Sequence, residues 1–318
     1  MELKSKNLNT EFAFSALPNS MLLWDSLLIV TDSYTQDKFI HIFHKENGNL
    51  IKSIGARGQG PGELTHPIST SINKNTKELI VYSFNSNKII KYSLDNITDN
   101  KVNYKESKIN NKNGLYIADV IFSENGDYVR GIDERMRFGL IENGNLNVLY
   151  NNFPKVLNKN KIEEDRAVMN YSSMWRISPD GKKLVQATYI GGIIEIFYIH
   201  GDHIHQENIY HYFYPKYRIV EGATPLGISW IAETVFGFQH LWTTNNSIYI
   251  LVNGGKASEN SFFPQDIAVL DWSGEGGIKF HLDNSINIFA VDEDMRIIYA
   301  ITYPKEGDED TKLVYYEF

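Results

Sequence analysis

A hairpin pattern that recurs six times along the chain constrains the fold more than any other feature of the sequence. Each copy has two alternating apolar segments around a polar turn, the period-two pattern of paired antiparallel strands. The copies are MLLWDSLLIV, STSINKNTKELIVY, DVIFSENGDYVRG, WRISPDGKKLVQA, LWTTNNSIYIL and FAVDEDMRIIYAI. Their turns are roughly 48 to 65 residues apart, which is the pitch of a four-stranded propeller blade with variable loops.

A further alternating segment follows each hairpin, and most of these segments run into a glycine-containing turn. They are FIHIFHKENGNL, IIKYSLDN, RFGLIENGNL, IEIFYIHGDHI, IAVLDWSGEGG and LVYYEF. No helical periodicity separates the copies, which argues against a fold built from βαβ units. The last copy has only three strands before Phe318, whereas NTEFAFSA precedes the first hairpin. We therefore predict that this N-terminal strand closes the last blade.

The sequence thus predicts an all-β, six-bladed β-propeller with four-stranded antiparallel blades, formed by residues 1–318 as one domain. The 19 Tyr, 17 Phe and 5 Trp residues suit half-buried strands. A long β-sandwich or two small all-β domains are the alternatives. Residues 152–167 read as a charged connection between blades three and four that could hold one short helix, and residues 212–230 as an insertion before blade five. Long connections of this kind often carry function.

Charge and composition exclude several classes of partner. A net charge of −8 would repel a nucleic acid backbone. The chain has no cysteine, which excludes disulfides, thiolate catalysis and Cys-ligated zinc. No apolar run is long enough to span a bilayer, because even SMLLWDSLLIV is short and contains Asp25. The first residues lack the apolar region of a signal peptide, so either the protein is cytoplasmic or an export signal precedes Met1.

The glycine-rich segment GARGQGPGEL, residues 55–64, links the outer strand of blade one to the inner strand of blade two. A dinucleotide-binding motif would need glycine in place of Glu63 and a helix where a strand begins. We interpret the glycines as turn positions with positive φ, with Pro61 fixing one dihedral angle. The segment is then either a tight crossover alone or a loop that presents Arg57, Glu63 and His66 at the mouth of the central channel.

Metal-binding patterns are weak. The turn at Gly201 places His200, His203 and His205 on one face of a hairpin, a set that could hold zinc or nickel or could be incidental and exposed. The acidic runs at 292–294 and in GDEDTK, residues 307–312, lack the spacing of an EF-hand loop and are interpreted as solvated turns. Neither a G-x-S-x-G nor an H-E-x-x-H motif is present. We predict no cofactor and no metal.

Two classes of function remain. In the first, the protein is a non-catalytic monomer that binds a glycan, a peptide or a protein at the channel mouth or the insertion loops, where aromatic faces lie beside polar groups. The candidate binding residues are Arg57, Glu63, His66, Tyr116, Asp119, Tyr171, Trp175, Phe238 and His240. For each of them, packing between blades is the structural alternative, and Arg57 and Glu63 could form an ion pair.

In the second class, the protein is a metal-dependent propeller enzyme of the lactonase or lyase type, with calcium or zinc on the central axis. Its candidate ligands are Glu63, Asp119, His240 and Asn287. A glycan binder would instead need an exposed aromatic platform, for which Trp175 and Trp230 are the candidates. A protein partner would need an apolar patch on an insertion loop.

Three segments carry a resemblance to a known family. GQGPGEL after a strand, the strand and turn IAVLDWSGEGGIKFHLD, and the ending INIFAVDEDMRIIYAITYPKEGDEDTKLVYYEF resemble the TolB-like six-bladed propellers of Bacteroidetes. The resemblance extends from about Leu27 to Phe318, and related NHL-type propellers share the Gly-Pro-Gly-Glu turn. It implies export to the periplasm or cell surface, behind a lipid-anchored cysteine that would precede Met1. It implies no particular reaction.

Overall fold

The strands of the protein form antiparallel sheets of four, as the repeated hairpin pattern predicts. The structure is a computed structural model that describes residues 1–8, 12–15, 17–123, 125–133, 136–150, 152, 173–201, 203–220, 227–259, 262–304 and 311–318. Within these ranges the helical content is limited to three short 3₁₀ turns. The described part of the chain contains no helix with the length and hydrophobicity of a membrane span.

The strands follow the chain in groups of four after two short N-terminal strands. The N-terminal strands are β1 (Glu2–Leu3) and β2 (Lys6–Asn7). Blade one has β3 (Ser20–Trp24), β4 (Leu27–Thr31), β5 (Lys38–His44) and β6 (Leu50–Ala56). Blade two has β7 (Pro67–Asn73), β8 (Glu78–Ser83), β9 (Lys88–Ser93) and β10 (Tyr104–Lys108). Blade three has β11 (Ile117–Ser123), β12 (Gly126–Asp133), β13 (Met136–Glu142) and β14 (Asn145–Tyr150).

The second half of the chain continues the pattern. Blade four has β15 (Ser173–Ile177), β16 (Lys183–Thr188), β17 (Gly192–His200) and β18 (His203–Phe213). A small hairpin follows, with β19 (Arg218–Val220) and β20 (Gly227–Ser229). Blade five has β21 (Phe238–Thr243), β22 (Ser247–Val252), β23 (Asp266–Asp271) and β24 (Gly276–Leu282). Blade six has β25 (Ile286–Asp292), β26 (Ile297–Thr302) and β27 (Leu313–Glu317). All six predicted hairpins form the two innermost strands of their blades, which confirms the six-bladed β-propeller.

The N-terminus closes the ring, but through a different segment from the predicted one. Strand β2 supplies the fourth strand of blade six by pairing antiparallel with β27, and β1 adds to blade five in parallel with β24. The predicted strand NTEFAFSA is wrong where it is described, because residues 12–15 lie outside any strand. Phe14 instead packs into the apolar core between blades six and one. Alternating phenylalanines therefore reflect core packing here, and a two-residue strand is too short to show a pattern.

The core lies between blades, because each sheet buries both faces against its neighbours. The buried apolar residues form six clusters, one at each junction between successive blades. The inner strands contact one another around the ring in the order β3, β7, β11, β15, β21, β25 and back to β3. Their free edges therefore surround a central channel, and the start of each inner strand lies at the same end of it.

The structure describes one of the two predicted long connections, residues 212–230, in large part and the other, residues 152–167, hardly at all. Of residues 152–167, only Asn152 belongs to the described part of the chain, so the predicted connection and its possible helix lie outside it. The predicted insertion at 212–230 contains the end of β18 and the β19–β20 hairpin, with Arg218 paired to Ser229. It ends at Trp230, which lies at the channel.

Candidate functional site at the channel mouth

A cavity of about 820 Å³ opens at the end of the channel where the inner strands begin, which we call the channel mouth. Every blade contributes to its wall through the start of its inner strand or the loop before it. Loops between the second and third strands complete the wall with residues such as Tyr34, Tyr189 and Phe263. The cavity is therefore a property of the closed ring rather than of any one blade.

A β-bulge recurs at the start of four inner strands and directs side chains into this cavity. In β7, β11, β21 and β25, the pairing with the next strand skips one residue near the strand start. The skipped residues are Ile68, Ala118, Gln239 and Asn287, and all of them line the cavity. A bulge changes which face the following residues occupy, and bulges are common beside binding sites.

Aromatic side chains form one wall of the mouth. Trp230 is 53% exposed, and its ring contacts Phe236 edge-on at a centroid distance of 5.0 Å. Phe262 lies 4.9 Å from Phe236, and Phe263 packs against Tyr303 at the same centroid distance. Because neighbouring rings fix its position, Trp230 presents a flat apolar face at the rim with little entropy left to lose on binding.

Asp119 lies near the start of β11, and its carboxylate is held in place. The indole Nε1 of Trp175 donates a hydrogen bond to Oδ2 at 2.8 Å. The Ser69 hydroxyl and the Val120 N–H donate to Oδ1. Trp175 itself is fully buried between blades three and four, where Phe138 stacks on it. The carboxylate is thus a fixed negative charge whose oxygens already have protein donors.

Two arginines line the same cavity from neighbouring blades, Arg130 on β12 and Arg176 on β15. Arg130 is 8% exposed, and its Nε has no hydrogen-bonding partner among the described residues. Arg176 donates from Nη1 to the Trp175 carbonyl at 3.1 Å. Burial lowers the pKa of both guanidinium groups, and the charge of Asp119 opposes part of that shift. Both stay protonated at neutral pH, so two positive charges face one carboxylate.

His240 is a buried polar residue of the cavity wall. Its side chain is 6% exposed and meets the Phe289 ring edge-on at 4.9 Å. Burial, together with the positive charge of Arg176, lowers the pKa of His240 well below its usual value, so the imidazole is neutral. Neither ring nitrogen has a hydrogen-bonding partner in the described part of the protein. Buried polar atoms are rarely left unpaired, so these nitrogens are available to water or to a ligand in the cavity.

The glycine-rich loop does not reach the cavity. The Glu63 carboxylate folds back and accepts a hydrogen bond from the Gly60 N–H at 2.8 Å. A Cβ at Gly58 would lie 1.9 Å from that carboxylate, so a side chain there would have to displace Glu63 from this position. Gly62 has a φ of +72° and packs on the Tyr104 ring of the outer strand β10. The loop is therefore a packed crossover on the outer half of blade two.

The charged residues of this loop bind neighbouring backbone groups and so stabilise the crossover. Arg57 donates to the backbone carbonyls of Thr35 and Gln36, at 2.6 and 3.1 Å, and its guanidinium lies over the Phe39 ring. The proposed ion pair of Arg57 with Glu63 does not form in the described structure. The backbone N–H of His66 donates a hydrogen bond to the Ser83 hydroxyl. None of the three residues predicted from this loop lines the cavity.

Of the nine predicted binding residues, the structure brings Asp119 and His240 together in the cavity. Trp175 and Phe238 are buried between blades, 0% and 6% exposed. Tyr116 is exposed and packs against Phe84 outside the cavity wall. Tyr171 lies outside the described residues. A direct contact of Asp119 and His240 with ligand stays a prediction.

The candidate metal sets come together only in part. Asp119, His240 and Asn287 line the cavity, whereas Glu63 does not, and the Asn287 amide donates to the Pro18 carbonyl at 2.7 Å. On the outer hairpin, His200 pairs directly with His203, so the predicted shared face is correct. In the described ranges, no group of three or more His, Asp or Glu side chains could hold a metal ion.

Sequence reasoning missed the two arginines and most of the aromatic wall. The start of β15 was identified correctly, but Trp175 was predicted to face the channel. In the structure, its neighbours Met174 and Arg176 face the channel instead. A charged residue inside an otherwise apolar strand, as in WRI and YVRG, was the available signal. Alternation alone does not show which of two neighbouring residues of such a strand faces the channel.

Sequence comparison gives the same architecture. The sequence profile described as "TolB-like 6-blade propeller-like" matches residues 2–294. The chain belongs to the TolB-like six-bladed propeller family. No curated protein matches its sequence significantly.

Several solved structures share the TolB-like fold over nearly the full chain. A Bacteroides fragilis protein classed as exported is 12% identical, with a TM-score of 0.57 and coverage of 99% of this chain and 94% of that one. A member of the DUF4221 family from Bacteroides vulgatus is 13% identical, with a TM-score of 0.59 and coverage of 100% and 96%. Hydrazine synthase from Kuenenia stuttgartiensis is 12% identical, with a TM-score of 0.51 and coverage of 96% and 97%. At these identities the likeness shows the fold alone, and one fold serves many functions.

Proposed function

We propose that this TolB-like propeller is a non-catalytic binding protein of the cell envelope that holds a glycan in the cavity at the channel mouth. The observation that carries the proposal is the pairing, in one cavity of about 820 Å³, of an aromatic wall with buried polar groups that have no partner among the described residues. Sugar rings pack their C–H faces on aromatic rings while their hydroxyls need hydrogen bonds. The cavity volume is within the roughly 300–1,000 Å³ typical of ligand sites.

Trp230 is the proposed stacking platform. It is the exposed tryptophan of the mouth, and Phe236 and Phe262 hold its ring from behind at centroid distances of 5.0 and 5.8 Å. Tyr34 and Tyr189 line the same cavity, are 64% and 41% exposed, and carry hydroxyls that a sugar can bond. Amphipathic rings of this kind supply contact area at low entropic cost.

We further propose export to the periplasm or cell surface, with a lipid anchor, as a monomer. The support is membership of the TolB-like family and the likeness to a Bacteroides protein classed as exported. The test is fractionation of cells that express the full natural gene product, with labelled palmitate as a probe of lipidation. Recovery in the cytoplasm without label would overturn this part, and size-exclusion chromatography with light scattering tests the monomer.

The binding proposal is tested with an array of bacterial, plant and host oligosaccharides, followed by calorimetry on the hits. We expect Trp230→Ala to weaken binding about 10-fold or more, because loss of one stacking ring typically removes 1–3 kcal/mol. Tyr212→Ala is the matched control, since Tyr212 is 56% exposed on the outermost strand of blade four, outside the cavity. Absence of any glycan hit, or equal loss in both variants, would overturn the proposal.

A further inference from the structure

We propose that the ligand carries a carboxylate, as in a uronic acid oligosaccharide, and that Arg130 and Arg176 bind this carboxylate at the floor of the mouth cavity. The inference rests on the proposed glycan-binding function and adds the charge of the ligand. Nothing in the family membership or the fold likeness specifies that charge.

The first support is the local charge balance. Among the described residues, the ionised side chains that line the cavity are Arg130, Arg176 and Asp119, so two guanidinium groups face one carboxylate there. The whole chain carries a net charge of −8, so the charge balance of these lining residues is opposite in sign to that of the protein as a whole. A buried charge is costly unless it is paired, so a second anion would complete the balance.

The second support is that few of the hydrogen-bond donors of the two arginines have partners among the described residues. Among the described residues, no ion pair within 4.0 Å joins either arginine to Asp119. The Asp119 oxygens are occupied by Trp175, Ser69 and Val120. Most of the guanidinium N–H groups of Arg130 and Arg176 are therefore available to an incoming acceptor.

The contrast with a buried structural arginine makes this point clearer. Arg137 lies between blades three and four, is 1% exposed, and pairs through two nitrogens with the Glu195 carboxylate. That bidentate pair, supported by Gln206 at 2.7 Å, neutralises the buried charge of Arg137 although its Nε, like that of Arg130, has no described partner. Arg130 and Arg176 line a cavity, and none of the described carboxylates pairs with them in this way.

The third support is that the remaining groups fit a sugar acid. A planar carboxylate matches the fork of a guanidinium group, and the neutral His240 can bond a neighbouring hydroxyl through either nitrogen. The aromatic wall around Trp230 covers the same cavity and suits a pyranose ring. An acidic peptide would use the arginines but would leave the flat ring faces of this wall without a matching surface.

The test measures binding by calorimetry in dilute buffer. The probes are tri- and tetrasaccharides of galacturonate, glucuronate and mannuronate, and the same oligosaccharides after reduction of their carboxylates to alcohols. We expect at least one uronate to bind about 10-fold or more tightly than its reduced form, because charge-assisted bonds are lost on reduction. Added salt should weaken binding of the uronate and leave the reduced form unaffected.

Variants assign the effect to the two arginines. Arg176→Gln and Arg130→Gln should each weaken uronate binding about 10- to 100-fold and remove most of the preference over the reduced form. Arg176→Lys keeps the charge without the fork and should retain part of the preference, which covers the case in which Arg130→Gln fails to fold. Lys74→Gln removes one positive charge at the other end of the channel and should leave binding unchanged.

The outcomes distinguish the proposal of glycan binding from the proposal that the ligand carries a carboxylate. Equal binding of uronate and reduced forms, or binding of neutral glycans alone, overturns the charge inference and leaves the glycan function standing. Binding of tetraglutamate in an Arg176-dependent manner, without any glycan, overturns the glycan function and favours an acidic peptide. If no probe binds and the array is also empty, both proposals are wrong.

Discussion

The mouth and the far end of the central channel are formed by the same six inner strands, yet their polar groups are partnered differently. The far end is the cavity of about 700 Å³ where the inner strands finish. There, Lys45 of blade one pairs with Asp292 of blade six at 3.0 Å. The Asn125 amide donates to the Asp180 carbonyl at 2.8 Å, and the Asp180 N–H donates to Asn245 at 3.0 Å.

At the mouth, by contrast, His240 and the Nε of Arg130 have no described hydrogen-bonding partner although both side chains are buried. None of the described residues that line the far end has such an unpaired buried atom. Short hairpin turns close the far end and bond to one another, whereas long connections and bulged strand starts form the mouth. Under the binding proposal, the far end is structural, and the mouth keeps polar groups available to a ligand at a cost in stability.

Removal of residues 1–8 tests whether both ends belong to one cooperative domain, and it should have the largest effect. The deletion takes away β1, β2 and the buried Leu3 and Leu8, so the free energy of unfolding should fall by at least about 4 kcal/mol. Calorimetry should show one transition for residues 1–318, at a lower temperature after deletion.

Lys6→Ala is the control for this deletion. It removes the exposed Lys6–Glu317 pair, whose side chains are 54% and 58% exposed, and the contact of Lys6 with the Tyr315 ring, and it should leave stability nearly unchanged. Two separate transitions in the intact chain would contradict the single domain that we propose.

This ring closure also shows how far the sequence predicts the fold. Alternation over five or more residues identified every inner hairpin, because a residue pattern of that length is set by burial of one face. The closing strand Lys6–Asn7 has two residues and both are exposed, so it carries no such pattern. Phe12 and Phe14 do alternate, but they pack against each other and Phe43 without strand pairing.

The site was less predictable than the fold, for a related reason. Asp119 and His240 were identified because polar residues at the start of an inner strand were expected at the mouth. Glu63 was assigned to the mouth as well, but the backbone of its own loop binds its carboxylate. Arg176 was missed because its neighbour Trp175 was taken as the channel-facing residue, and alternation alone does not say which of two neighbours faces inwards.

The next prediction concerns the loss of stability at acidic pH. A neutral buried histidine lines the mouth, whereas no histidine is among the described residues that line the far end. Burial lowers the pKa of His240 well below its usual value and that of His41, in blade one, to about 4, although Asp32 partly opposes the latter shift. Unfolded histidines bind protons near pH 6.5, where the folded ones do not. Stability is therefore greatest above pH 6.5 and falls as the pH decreases towards 4.

His41 alone should contribute about 2 kcal/mol to the loss between pH 7 and pH 5, and His240 should add to it. Urea unfolding at several pH values measures the loss. His240→Leu and His41→Gln should each give a shallower pH dependence than the parent, whereas His211→Gln, at an exposed position, should not. A dependence that His240→Leu leaves unchanged would show that the imidazole is protonated or paired in the folded protein.

Asp292→Ala breaks a partnered group of the far end and should cost about 2 kcal/mol of unfolding free energy. Its carboxylate binds Lys45 in a mostly buried pair and accepts a hydrogen bond from the Met295 N–H at 3.1 Å. Glycan binding at the mouth should be unaffected. Asp294→Ala, at an exposed position of the same turn, is the control and should be nearly neutral. Weaker binding in Asp292→Ala without loss of stability would contradict the division between the two ends.

His240→Leu should have the smallest effect on stability and the opposite sign. The imidazole is 6% exposed with both nitrogens unpaired, so the folded protein carries its desolvation cost without a compensating bond. Leucine of similar size beside Phe289 removes that cost, and the free energy of unfolding at pH 7 should rise by about 1 kcal/mol. His41→Leu is the matched comparison, because the His41 Nδ1 bonds Ser53 at 2.9 Å and its loss should destabilise. If His240→Leu destabilised the protein as His41→Leu does, the mouth histidine would be a structural group, and the distinction between the two ends would rest on Arg130 alone, because Arg176 lines both cavities.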